Sequence, residues 1–298
     1  MNIRPITSDD FPAVAAFLAD DETHLFGRPS RVGVADVTAW LAGPDLVNDT
    51  WLFEDDGRLV AMGWVEKHEN TGVAIGVVHR DRRGRGLGSE LVDRNERRLR
   101  ALGAGRIHAV TLAPDVAADR LLTGRGYRAV RRFWEMTIEL GDDPPPALRL
   151  PEGFRIEPFS TEHARAFHGA LEEAFAEHWD YQPTPFETWW ERQIAKPDHD
   201  PSLWFLVRSD EHVVAATRND PERSGGGWIG AIGVRPAWRG RGLAKALLFQ
   251  SFGEFHRRGQ RRVGLGVDSE NASGATKLYE SVGMVVGSEQ VVWEKKLA

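Results

Sequence analysis

The chain has 298 residues, 41% of them hydrophobic and 28% charged, with a formal net charge of −6. That length predicts two domains of roughly 150 residues in an ordinary soluble protein, and the acidic balance argues against a nucleic-acid partner. With no cysteine, disulfides, thiolate nucleophiles and cysteine-based zinc sites are excluded; no run reaches membrane-spanning length and the start lacks an apolar secretory core, so no membrane partner and a cytoplasmic location are expected.

Residues 3–8 read as a first strand ending in a helix cap, and residues 9–22 as a helix carrying Phe11, Val14, Phe17 and Leu18. A second short helix spans 37–41 and stops at Gly43-Pro44. Residues 50–53 and 59–65, separated by Asp55-Asp56-Gly57, predict a hairpin. A strand over 73–78 leads into Arg83-Gly84-Arg85-Gly86-Leu87-Gly88 and a helix to about 102. A strand over 107–112, a helix over 116–123 and a strand over 127–140 complete the first half. Three consecutive prolines within 141–152 then predict an extended linker. The expected boundaries are 1–140, a linker over 141–152, and 153–298.

After the linker the plan restarts. Ile156-Glu157-Pro158-Phe159-Ser160 echoes Ile3-Arg4-Pro5-Ile6-Thr7 at an offset of 153 (156 − 3), and Trp204 echoes Trp51 at the same offset (204 − 51). Arg239-Gly240-Arg241-Gly242-Leu243-Ala244 echoes Arg83 to Gly88 at 156 (239 − 83), and Gly283 echoes Gly126 at 157 (283 − 126). Landmarks kept in order with loop-sized drift predict a duplicated domain.

The glycine segments fall between an apolar strand and an amphipathic helix in which Leu243, Leu247, Leu248, Phe252 and Phe255 recur at near-helical spacing. Backbone N–H groups and the positive end of the helix there suit a pyrophosphate. No Gly-Lys-Ser/Thr follows, and the spacing is wrong for a dinucleotide fingerprint. The pattern Arg-x-x-Gly-x-Gly/Ala resembles the acetyl-CoA loop of the GNAT superfamily of N-acetyltransferases, and both halves of the chain share the resemblance. It implies an α/β (α+β) fold class of two tandem acyl-CoA N-acyltransferase folds, each a mixed, mainly antiparallel sheet flanked by helices. It also implies acetyl-CoA as acyl donor and a primary amine of a small molecule as acceptor, with no metal; the ten histidines show no zinc-like spacing.

GNAT members commonly carry an Asn after the fifth strand, then a helix ending Leu-Tyr-x-x-x-Gly. The second half has Asn271, Leu278, Tyr279 and Gly283. The resemblance implies that Asn271 bonds the pantetheine arm and that Tyr279 protonates the departing thiolate, as a neutral phenol can. Asn271 could equally cap the helix. Counting back from Gly126 sets Leu122 opposite Tyr279 and Pro114 opposite Asn271, so the first half is expected to be catalytically degenerate while keeping its loop (Val78, Arg83, Gly84, Arg85, Gly86, Leu87, Gly88).

In the second half the cofactor contacts are expected from Ile232, Gly233, Val234, Arg239, Gly240, Arg241, Gly242, Leu243, Ala244 and Asn271, with a backbone N–H near residues 232–234 holding the oxyanion. Some family members place a Glu on the strand before the loop; residues 228–234 contain none. The base is sought instead at Glu177 or His178, with Glu173, Trp179 and Tyr181 as acceptor-side residues. Phe186, Trp189 and Trp190 either build core or line the acceptor cleft. Gly264 and Gly266 leave one strand face free of side chains, which cofactor, substrate or a packed group would fill.

The architecture is similar to that of mycothiol synthases, which acetylate an amino-sugar conjugate of cysteine. A protein or peptide amine is a further acceptor, and a non-catalytic acyl-CoA sensor an alternative of another class. A monomer or homodimer is expected.

Overall fold

The computed structural model describes residues 1–146, 148–195, 199–271 and 273–297, and divides the chain into two compact units. Unit 1 gathers Met1–Trp134, Asp268–Glu270 and the residues from Ser288 onward; unit 2 gathers Glu135–Val267 and Asn271–Gly287. Among the described residues no helix is long and apolar enough to cross a membrane. Residue 147 of the Pro-rich linker lies outside the described residues.

Unit 1 runs β1 (Asn2–Arg4), α1 (Phe11–Phe26), α2 (Val34–Trp40), β2 (Thr50–Asp55), β3 (Arg58–His68), β4 (Thr71–Val78), α3 (Leu87–Ala101), β5 (Arg106–Leu112), α4 (Val116–Gly124) and the start of β6 (Arg128–Glu139). The order β1-β2-β3-β4-β5 is antiparallel except for the parallel pair β4–β5. The hairpin turns at Asp56 and Gly57, both left-handed at φ 50° and 74°, the backbone that a two-residue hairpin prefers. Helix α3 turns Leu87, Leu91, Val92 and Leu99 inward. It lies so close that a Cβ on Gly72 would come within 2.4 Å of the Leu99 side chain. Both early helices are longer than their apolar spacing suggests: α1 runs on to a left-handed Gly27, and α2 begins at Val34.

Unit 2 repeats the plan with β7 (Phe154–Pro158), α5 (Ala164–Phe175), α6 (Phe186–Ile194), β8 (Phe205–Ser209), β9 (His212–Arg223), β10 (Gly226–Val234), α7 (Leu243–Arg257), β11 (Arg262–Asp268), α8 (Ala275–Ser281) and the start of β12 (Val285–Lys296). Its strands β7-β8-β9-β10 are antiparallel and β10–β11 parallel. Leu243, Leu247, Leu248, Phe252 and Phe255 of α7 are all buried, as their spacing predicts.

The last strand of each half is divided: β6 passes from unit 1 to unit 2 at Glu135, and β12 from unit 2 to unit 1 at Ser288. Residues 290–296 of β12 pair antiparallel with β5, from Gln290↔Leu112 to Lys296↔Arg106. Val291, Trp293 and Leu297 pack there with Leu99, Ile107 and Tyr127. A buried carboxylate ties the strand down: Glu96 of α3 accepts from Lys295 Nζ (2.7 Å), Arg100 (2.9 Å) and the Tyr127 hydroxyl (3.1 Å). Burial alone would raise this carboxyl, but Lys295, Arg100 and Tyr127 outweigh it and hold it below the ordinary range. Reciprocally, the unit 2 part of β6 lies beside β11.

Candidate active site

In unit 2, β10 and β11 are paired only at Gly227↔Val263, Trp228↔Gly264 and Ile229↔Leu265. Beyond that point β10 runs on to Val234 and β11 to Asp268 without pairing to each other. The strands therefore splay and leave backbone groups on both inner edges for an extended amide-bearing ligand. A register shift between Ile229↔Asn219 and Ala231↔Arg218 makes Gly230 a bulge residue. A Cβ at Gly230 would fall 2.6 Å from Arg218 Nη2 and 2.7 Å from Asp220 Oδ2, so a larger residue would have to displace the tips of that ion pair. A bulge re-aims the amides that follow it, here those of Ala231, Ile232, Gly233 and Val234.

The strand leads through the 3-10 turn Pro236–Trp238 into the glycine loop. Gly240 and Gly242 are left-handed, at φ 76° and 77°, with open space where a Cβ would point. Conformation, not crowding, requires glycine at both. Gly242 caps α7 without a side-chain acceptor, leaving the N–H groups of the first turn, including Leu243 and Ala244, to a ligand.

The two loop arginines do different work. Arg239 turns back: its guanidinium donates to the Val234 carbonyl (3.3 Å), the Ala174 carbonyl (3.3 Å) and the Glu177 carboxylate (2.8 Å). Arg241 stays exposed, its guanidinium 5.2 Å from the Trp238 ring centre. Glu177 is consequently a brace between helix and loop, and Arg239 holds its carboxyl below the usual range. Glu173 is likewise paired, with Arg235.

His178 is half-buried against Phe175, with ring centres 4.6 Å apart. Trp179 is half-buried on the same loop. Burial, and then Glu172, hold the Tyr181 phenol well above its ordinary range. Trp189 and Trp190 pack against Phe159, Phe167 and Trp204, and Phe186 stacks on Trp190, so they build the α5–α6 core. The bare face of β11 is filled by Trp228, whose indole would lie 2.7 Å from a Cβ on Gly264 and 3.9 Å from one on Gly266.

Tyr279 is buried on α8, and burial pushes its phenol up to about 12. It is therefore a neutral proton donor throughout the physiological range. Asn271 accepts from the Ser273 amide (2.7 Å) and hydroxyl (2.5 Å), folding the loop before α8.

The equivalent region of unit 1 shares the splay, since β4 and β5 pair only from Thr71↔Arg106 to Ala74↔Ala109 while β4 runs on to Val78 and β5 to Leu112, and it differs at the bulge and the two side chains. β3 and β4 pair without a break from Ala61↔Val78 to His68↔Thr71, so β4 has no bulge. Gly230 corresponds to Ala74 (230 − 156). Leu122, buried, stands where Tyr279 does; each carbonyl accepts the same turn-closing amide at 3.0 Å, from Tyr127 and Met284 respectively. Along β5 and β11, whose bounds differ by 156 at both ends (262 − 106, 268 − 112), Asp115 corresponds to Asn271. Counting from the glycine pointed to Pro114 because the loop before α8 is longer. Arg83 donates to Val78 as Arg239 does to Val234, at 3.2 Å. Gly84 and Gly86 are left-handed like their counterparts, Arg85 is exposed, and Leu87 is buried.

The sequence model of the acetyltransferase (GNAT) family matches twice, over residues 14–127 and 164–284. The chain belongs to the GNAT acetyltransferase family. Over 98% of its length it is 31% identical to a mycothiol acetyltransferase of Geodermatophilus obscurus, covering 97% of that protein. A mycothiol acetyltransferase of Thermobispora bispora is 30% identical over 82% of each chain. The crystal structure of a GCN5-related N-acetyltransferase from Sphaerobacter thermophilus superposes with a TM-score of 0.87 at 35% identity, covering 99% of this chain and 95% of that one. A tandem GNAT protein from the clavulanic acid biosynthesis pathway shares the fold at 16% identity, with a TM-score of 0.75 and coverage of 100% and 98%.

This GNAT protein is an acyltransferase that uses acetyl-CoA and transfers acetyl to an amine. The splayed strands, glycine loop and Tyr279 of unit 2 fit that donor. Sequence reasoning missed Gly230, Trp228 and Asp115; the one available signal for Gly230 was a glycine inside an apolar strand pattern.

Proposed function

We propose that unit 2 alone carries the chemistry, acetylating the primary amine of a small molecule by direct attack. When bound, acetyl-CoA supplies an activated thioester. The loop amides of residues 240–244 hold the pyrophosphate, and the splayed edges of β10 and β11, with Asn271, hold the pantetheine arm. The amides that follow the Gly230 bulge receive the developing oxyanion; one such donor is typically worth about 3–4 kcal/mol. Tyr279 gives its proton to the departing thiolate.

Between the two candidate bases, Glu177 is the weaker, because Arg239 already engages its carboxylate. His178 takes the amine proton in this reading, and Glu177 braces the loop. The observation that carries the proposal is the coincidence in one unit of the Gly230 bulge and the buried Tyr279 phenol, where unit 1 has an unbroken β4 and Leu122. Thiol release from acetyl-CoA with a panel of amines tests it: His178→Ala is expected to lower turnover by about 10²-fold or more, whereas Glu177→Gln should chiefly raise the acetyl-CoA KM. The reverse pattern would move the base to Glu177.

A second reading takes a cysteine-conjugated amino sugar as acceptor. Near-full-length similarity to mycothiol acetyltransferases favours it. Including that conjugate in the amine panel decides between them.

A further inference from the structure

The glycine loop of unit 1 is intact in sequence, yet the chain's own carboxylates already engage its arginine. Arg83 donates to both oxygens of Asp115, at 3.1 Å each, and to Asp21 Oδ1 at 2.9 Å. Asp21 lies on α1 and is buried; Asp115 is fixed as the N-cap of α4, accepting from the Ala118 amide at 3.1 Å. The bridge therefore ties the loop arginine both to α1 and to the start of α4, a tie that unit 2 lacks. Two carboxylates around one guanidinium offset its charge, so Arg83 offers a pyrophosphate no net attraction and Arg85 is the loop cation left exposed.

Unit 2 replaces both features. Its arginine meets one carboxylate, Glu177, and Asp115 gives way to the neutral Asn271, which folds its own loop instead. Packing points the same way. A Cβ at Gly88 would sit 2.9 Å from Leu121 Cδ2, so α4 presses directly on the start of α3. The corresponding residue of unit 2 is Ala244, whose methyl group occupies the position that Gly88 leaves bare.

We infer that unit 1 binds no acetyl-CoA: Asp21 and Asp115, clamped on Arg83, and Leu121, seated on Gly88, close its cleft. Unit 1 is thus a scaffold whose loop arginine is satisfied internally. The inference goes beyond the assignment of chemistry to unit 2 and can fail separately from it.

Hydrogen exchange of the wild-type protein with and without coenzyme A tests this directly. Protection is expected over residues 240–248 and not over 84–92; protection of both overturns the inference. Loss of protection at 240–248, with none at 84–92, would instead sink the assignment to unit 2 while leaving unit 1 closed. Calorimetric stoichiometry provides the second arm, with Gly86→Glu and Gly242→Glu as variants matched in backbone strain. One molecule per chain is expected in wild type and in Gly86→Glu, and none in Gly242→Glu. A site lost only in Gly86→Glu contradicts the closure. In the Gly242→Glu background, Asp21→Asn with Asp115→Asn should open one weak site. A titration that stays flat overturns the role given to these carboxylates.

Discussion

Units 1 and 2 have the same succession of elements and diverge where a ligand would sit. Helices α3 and α7 are each 15 residues long, and both glycine loops have the same left-handed backbone. Against that constant frame, unit 1 has Ala74 in an unbroken β4, Leu122 in its core and two aspartates on Arg83. Unit 2 has a bulge at Gly230, Tyr279 and Asn271. A glycine loop is therefore a statement about backbone geometry, and the residues around it decide how its arginine and the neighbouring strand ends are used.

The sharpest way to break the comparison is to make unit 2 resemble unit 1 at the phenol. Tyr279→Phe is expected to lower kcat by about 10²–10⁴-fold, read as thiol release, while the volume-conserving Leu122→Met leaves kcat at the wild-type level. Gly230→Ala copies Ala74. Its methyl group would collide with Arg218 and Asp220, and disturbing one oxyanion donor should cost about 10²–10³-fold in kcat. Ala74→Gly should leave turnover at the wild-type level.

Smaller effects probe the scaffold role of unit 1. Trp293→Ala removes a large buried side chain of β12 and should cost about 3–5 kcal/mol of stability in denaturant titrations, without changing KM for acetyl-CoA in the protein that remains folded. The weakest effect concerns Glu96. Its carboxyl lies below the ordinary value when folded, so its stabilisation is present above the unfolded glutamate range, about pH 4.3, and is lost as pH falls through the folded value. Glu96→Gln should flatten the decline of Tm between about pH 5 and 3.

Local pattern made much of this legible. Apolar spacing located α7, turn residues located the β2–β3 hairpin, and repeated landmarks exposed the duplication. What the sequence hid depends on distant partners. Nothing local in residues 288–297 says that Val291, Trp293 and Leu297 belong to the core of unit 1, because an alternating strand fits any sheet edge of the right register. The destination of Arg239 and Arg83 was equally hidden: their place in the motif suggests phosphate, whereas the fold turns them back onto α5 and α1. The bare face of β11 was correctly read as a site of close approach. Its occupant, Trp228, comes from the neighbouring strand and not from the ligand.

The most direct measurement is paired binding and turnover on Tyr279→Phe. The account predicts acetyl-CoA affinity unchanged by calorimetry and turnover down by at least about 10²-fold. Turnover near the wild-type level, with binding intact, would contradict it and return the question of which unit carries the chemistry to unit 1.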